Sequence, residues 1–150
     1  MNDQPPPTRE EWGDLKADLD VEFGFQEFGG KTIEEAAPLF ADNPIERASE
    51  LQFTPPAVFN YYIFAFAAAA TDTISRGQSD LASCFLKLVR DRAVEQPETL
   101  AVVWQRLLPA LVIVSEQQSF YDADPNIYGS FASLRHEAEA AMQQYEEDGA

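Results

Sequence analysis

One cysteine, Cys84, is too few for an internal disulfide, and a lone free thiol fits a reducing compartment. One histidine, His136, has no second histidine four residues on, so a zincin motif is excluded. One Cys and one His also fall short of an ordinary zinc site. Basic residues are scarce, ten against 26 acidic ones, and the net charge is −16 with a pI near 4.2. Phosphate contacts need a basic face, so nucleic acid is not an expected partner, nor is an anionic membrane surface. No phosphate-binding loop, G-x-S-x-G elbow or calcium loop is present. No cofactor, no metal and no catalytic residue is expected, and the chain reads as non-enzymatic. The opening MNDQPPPTREEW has neither a basic nor an apolar leader region, which fits a cytoplasmic protein.

Apolar and aromatic residues are plentiful, at 45% and 12% of the chain. That content argues against disorder, and 150 residues suit one domain with a sizeable core. The longest apolar run, Ala57 to Ala70, is interrupted only by Asn60. It is shorter than the roughly 18–20 residues that cross a bilayer. Thr54 is placed as N-cap and Pro55 as first helical residue, so the run predicts a central helix over 55–71. A helix apolar all round is a buried one. Ala67 to Ala70 leave room for another helix to approach, and Asn60 needs a hydrogen-bond partner in a neighbouring loop.

Around this rod the sequence predicts helices only. Residues 1–7 form a mobile, proline-rich tail, and 8–150 form one domain. Thr8 with Glu11 makes a capping box that opens a helix at Arg9, with Trp12, Leu15, Leu19 and Phe23 as its apolar stripe. The same helix would carry Glu10, Asp14, Asp18 and Glu22 along one face. Like charges four residues apart disfavour a helix by roughly 0.2–0.5 kcal/mol each. A solvated face explains them; so does a surface that meets a positive partner.

Phe23 to Gly30 reads as a glycine-rich turn. Thr32 with Glu35 is a second capping box, and Pro38 is expected to end or distort the helix that follows. Asn43-Pro44 opens another short helix to about Glu50. Asp80 to Ala93 is amphipathic, with Leu81, Cys84, Phe85, Leu88 and Val89 on one face; Cys84 is there a small core residue rather than a nucleophile. A helix is expected from Gln96-Pro97-Glu98 to about Leu107, a break or kink at Pro109, then a helix to about Phe120. The last helix spans about Ile127 to Tyr145, with Ile127, Phe131, Leu134, Ala138, Met142 and Tyr145 as its stripe, followed by an acidic tail. The fold class is therefore all-α, a single-domain irregular bundle of about six to eight helices.

Leu51 to Phe66, LQFTPPAVFNYYIFAF, resembles the hallmark phrase of a family of small uncharacterised bacterial proteins, a domain of unknown function. The upstream arrangement is similar as well: an N-terminal helix, then a segment leading to the helix before the phrase, here Phe28 to Glu50. The Trp usual in that segment has no counterpart here. The resemblance implies a bacterial origin and helical structure and carries no functional residue with it.

Size, charge and missing chemistry point first to an interaction protein. Such a protein would be an acidic immunity (antitoxin-like) factor that blocks a basic toxin domain, with Glu10, Asp14, Asp18 and Glu22 as its contact residues. Simple solubility explains the charge equally. The alternative is a small-molecule-binding or regulatory module with a pocket near Asn60, Tyr61 and Tyr62. An enzyme of unfamiliar type would need His136, Cys84 or a carboxylate pair to meet in a cleft.

Overall fold

The computed structural model describes residues 4–149. Met1 to Asp3, part of the expected mobile tail, lie outside them. The described residues form one all-helical domain: α1 (Leu19–Phe28), α2 (Ile33–Asp42), α3 (Pro44–Gln52), α4 (Pro56–Thr71), α5 (Ser79–Glu95), α6 (Pro97–Leu100), α7 (Trp104–Ser115), α8 (Pro125–Tyr128) and α9 (Phe131–Asp148). A 3-10 turn, Thr73–Ser75, follows α4.

Helix α4 is the rod at the centre. Val58, Phe59, Tyr62, Ile63, Ala65, Phe66 and Ala70 have no exposed surface and share one broad side of the helix, while Ala57 and Ala68 on the other side are exposed. Helices α2, α3, α5, α6 and α7 all touch it. Phe66 lies between Phe40 of α2 and Phe85 of α5, with ring centroids 4.9 and 5.8 Å away. Helix α9 lies outside this shell, on α5 and α7, and buries Phe131, Leu134, Ala138 and Met142.

The start of α4 is shifted by one residue from the expected place. Pro55 is the cap, and the Thr54 hydroxyl instead donates to Leu51 O at 2.7 Å, closing α3. Arg92 of α5, 3% exposed, secures this corner. Its guanidinium donates to the carbonyls of Gln52 and Thr54, both at 3.1 Å, and lies over the Phe59 ring at 4.2 Å. Burial without an ion-pair partner lowers its pKa to about 10.

Several expected elements are corrected. The Thr8–Glu11 box forms, with Thr8 N donating to Glu11 Oε1 at 2.9 Å and Glu11 N to Thr8 Oγ1 at 3.2 Å, but it caps only a turn. Gly13 takes φ +75°, a left-handed conformation, and ends that turn. The helix begins at Leu19, because the Asp18 carboxylate accepts from the amides of Asp20 and Val21. There it meets the positive end of the helix dipole. Trp12 is nonetheless buried, packed on Phe25, Phe28 and Tyr62, with its indole N–H unpartnered.

Phe23 to Phe28 is helix, not turn. Gly24 is needed inside it because α3 approaches closely: a Cβ there would lie 3.1 Å from that of Glu50. Pro38 neither ends nor interrupts α2; it stands one turn inside the helix on the exposed side. Pro109 is tolerated in the same way within α7. The actual break before α7 is the turn over 101–103, and α7 stops at Ser115 rather than at Phe120. Gly129, φ +75°, divides the expected last helix into α8 and α9, leaving Ile127 74% exposed and off the buried stripe. The residues expected as an acidic tail, Glu146 to Asp148, continue α9. The capping box of Thr32 and Glu35, Pro44 as first residue of α3, and the buried face of α5 are found as expected.

Candidate functional site

The C-terminal half of α4 ends in small residues, and α2 lies along it. On α2, Glu34, Ala37, Pro38, Ala41 and Asp42 fall at three- and four-residue spacing and share the outer face. Ala68 and Ala69 of α4 face them, as does Asp72 just past the end of that helix. The alanine and proline side chains are too short to fill the space between the helices. A groove of about 470 Å³ remains, closed at one end by Ile74, Ser75 and Gln78.

Its shape is fixed by backbone capping. Asp72 accepts from Ile74 N at 3.0 Å, and the Ser75 hydroxyl donates to Ala70 O and Asp72 O. The turn so formed holds Ile74 out, 81% exposed. Glu34, Asp42 and Asp72 are exposed on the rim, and no Lys or Arg lines the groove. The carboxylates are spread along it rather than converging. Among the described residues no three His, Cys, Asp or Glu gather as metal ligands. The arrangement suits an occupant with a slender apolar body and cationic ends.

The field outside the groove has the same sign, because the arginines are used internally. Arg47 pairs with Glu50 at 2.6 Å and with Glu27 at 3.3 Å. Arg90 pairs with Asp91 at 2.7 Å and Glu137 at 2.9 Å. Arg135 reaches Glu139 at 3.3 Å and Glu116 at 3.6 Å. Arg92 is bonded to carbonyls, Arg9 donates to Gly13 O, and Arg76 and Arg106 lie over the rings of Phe120 and Phe64. Among the described residues only those six carboxylates lie within ion-pair distance of a cation, out of 26 in the sequence.

The expected acidic stripe does not exist. Glu10 lies in the first turn, the Asp14 carboxylate accepts from Lys16 N at 3.0 Å, and Asp18 caps α1. Of the four, only Glu22 lies inside a helix. Asn60 donates to Thr99 O at 2.9 Å, tying α4 to the α6 turn as expected of a structural amide. Its Oδ1 is buried without a partner. The Tyr61 hydroxyl accepts from Ile33 N at 3.2 Å, and that of Tyr62 is shared between Phe28 O and Lys31 O at 2.8 and 2.7 Å. A cleft of about 440 Å³ does open beside Asn60 and Tyr61, walled by Pro5 to Pro7, Val102 and Arg106, but fully buried Tyr62 is no part of it.

Cys84 is half-buried on α5, and burial pushes its thiol pKa up. His136 is exposed on α9, and no hydrogen bond joins the two. Compared with protein-family models, with curated proteins and with solved structures, the chain matches none. Glu34, Asp42 and Asp72 carry no sequence signal as a set, since packing of α2 on α4 brings them together.

Proposed function

We propose that this chain is a non-enzymatic, acidic interaction protein that binds a basic protein partner directly. The kind of role that fits is that of a bacterial immunity (antitoxin-like) protein neutralising a basic toxin domain in the cytoplasm. The observation that carries this reading is the division of charge. All seven arginines are committed to the chain's own carboxylates, carbonyls or rings, and most carboxylates face outward without a cation. Such a surface accelerates encounter with an opposite charge and rejects like-charged partners. The groove between Glu34, Asp42 and Asp72 then receives lysine or arginine side chains. No helix among the described residues is long and apolar enough to cross a membrane, in keeping with a role away from the bilayer.

The test is capture of proteins from the source cell on the immobilised chain, with and without the triple change Glu34→Gln, Asp42→Asn, Asp72→Asn. A basic protein should be retained, released as salt is raised, and held less well by the triple variant. Capture indifferent to salt would sink the reading. So would a co-produced toxin whose killing the chain does not blunt. A second reading, a small-molecule site in the Asn60–Tyr61 cleft, is favoured only by the unpartnered Asn60 Oδ1. A metabolite that raises the melting temperature of wild type but not of Asn60→Asp would support it.

A further inference from the structure

At the opposite end of α4 from the groove, three large apolar side chains stand in solvent: Leu19 at 66% exposed, Phe23 at 47% and Phe53 at 53%. Their positions follow from the pairing of α1 with α3. Gly24 lies against Glu50, and Glu27 pairs with Arg47 at 3.3 Å, so the helices run antiparallel. Extending that register brings Phe53 level with Val21, between Leu19 and Phe23 along the axis. Leu19 and Phe23 lie one turn apart on the exposed side of α1, with Phe53 level with them at the end of α3 across the seam between the two helices, while Val21, Gly24 and Phe28 take the inward side of α1.

None of the three is part of the core, and covering them would remove apolar surface from water. Exposed aromatics clustered in this way mark docking sites. The surrounding charge selects the occupant. Asp20 and Glu22 stand beside Leu19 and Phe23 on α1, while Arg47, the cation between the two helices, is taken up by Glu50 and Glu27. A second copy would set like-charged rims face to face at −16 per chain. An anionic lipid surface is repelled for the same reason.

We propose that the Leu19–Phe23–Phe53 seam docks an amphipathic helix of a partner protein. The apolar side of that helix covers the three residues, and its Lys and Arg flanks meet Asp20 and Glu22. A helix laid along a seam between two helices is a recurrent mode of recognition. The inference uses a different face from the groove and stands whether or not the groove is used.

The probe is a synthetic Leu/Lys amphipathic peptide of about 18 residues, roughly five helical turns. Its control is a scrambled peptide of the same composition. Titration calorimetry should show the patterned peptide binding wild type about tenfold tighter than the scrambled one. Phe23→Ser with Phe53→Ser should abolish that preference, and Glu34→Gln/Asp42→Asn/Asp72→Asn should leave it intact. Leu19→Ser, at the most exposed of the three positions, is the second variant and should reduce the preference severalfold should the double variant fold poorly. Equal binding of both peptides by wild type would overturn the proposal, as would an undiminished preference in the serine variants. A wild-type dimer that Phe23→Ser disperses would also overturn it, because a second copy would then be the occupant.

Discussion

The two ends of α4 close the same buried rod by different means. At the N-terminal end the chain uses large groups: two prolines, the Arg92 guanidinium under the carbonyls of Gln52 and Thr54, and beyond them the open aromatics Phe23 and Phe53. At the C-terminal end it uses small ones: alanines, an aspartate cap and a serine hydroxyl, with carboxylates around a shallow trough. The ends are separated by 16 residues of helix, about 24 Å. One end offers apolar area, which slows dissociation. The other offers field, which speeds encounter and sets sign preference.

Breaking the rod itself should have the largest effect and cost both ends at once. Phe66→Ala removes a ring with no exposed surface that packs on Phe40 and Phe85. Urea unfolding should register a loss of about 3–5 kcal/mol. Next comes Arg92→Met, which fills much of the same space but strips two buried carbonyls of their donor. A loss of about 1–3 kcal/mol is expected, with amide exchange accelerated first over Gln52 to Val58 and little changed near Asp72. Equal acceleration at both ends would show that the corner is not locally held.

At the other end, Glu34→Gln/Asp42→Asn/Asp72→Asn should leave stability within about 0.5 kcal/mol. The carboxamide that replaces the Asp72 carboxylate keeps an oxygen to accept from Ile74 N. The measurable change is a shallower salt dependence of binding to a cationic protein. Loss of the C-terminal end's stability instead would mean that the rim is structural.

The smallest effect is a pH dependence in α2, whose outer face lines the groove. The amide and hydroxyl of Thr32 hold the Glu35 carboxyl below its ordinary pKa. A depressed folded value contributes stability that is present above the unfolded pKa, near 4.5, and lost as pH falls through the folded one. Acid titration should therefore loosen α2 in wild type, and Glu35→Gln should remove that component of the pH dependence. A slope unchanged in Glu35→Gln would deny the cap any part in it.

Much of the architecture was legible because it is written locally. An apolar stretch interrupted only by Asn60 placed α4 to within a residue, and stripe periodicity placed the buried face of α5 and most of that of α9. The capping box at Thr32–Glu35 and the leading Pro44 marked two helix starts, although the Asn43 side chain makes no capping bond. The N-terminal region misled for a physical reason. A capping box marks where a turn can start and says nothing of how far it propagates, and Gly13 and Asp18 together reset the start by ten residues, from Arg9 to Leu19. Gly24 reads as a turn residue until the proximity of Glu50 explains it. Likewise the break over 101–103 has no Gly or Pro to signal it, whereas Pro38 and Pro109 signal breaks that exposed positions make unnecessary. The groove was illegible because Glu34, Asp42 and Asp72 meet only through packing of α2 on α4.

Trp12 has a consequence for how the chain responds to proteolysis. It plugs the aromatic wall of Phe25, Phe28 and Tyr62, yet it hangs on a strap, residues 4–18, that holds no helix of its own. A cut near Gly13 would unstopper the centre of the molecule and leave a hollow the size of an indole beside α4. The emission colour of that indole would report the loss before any helix melted.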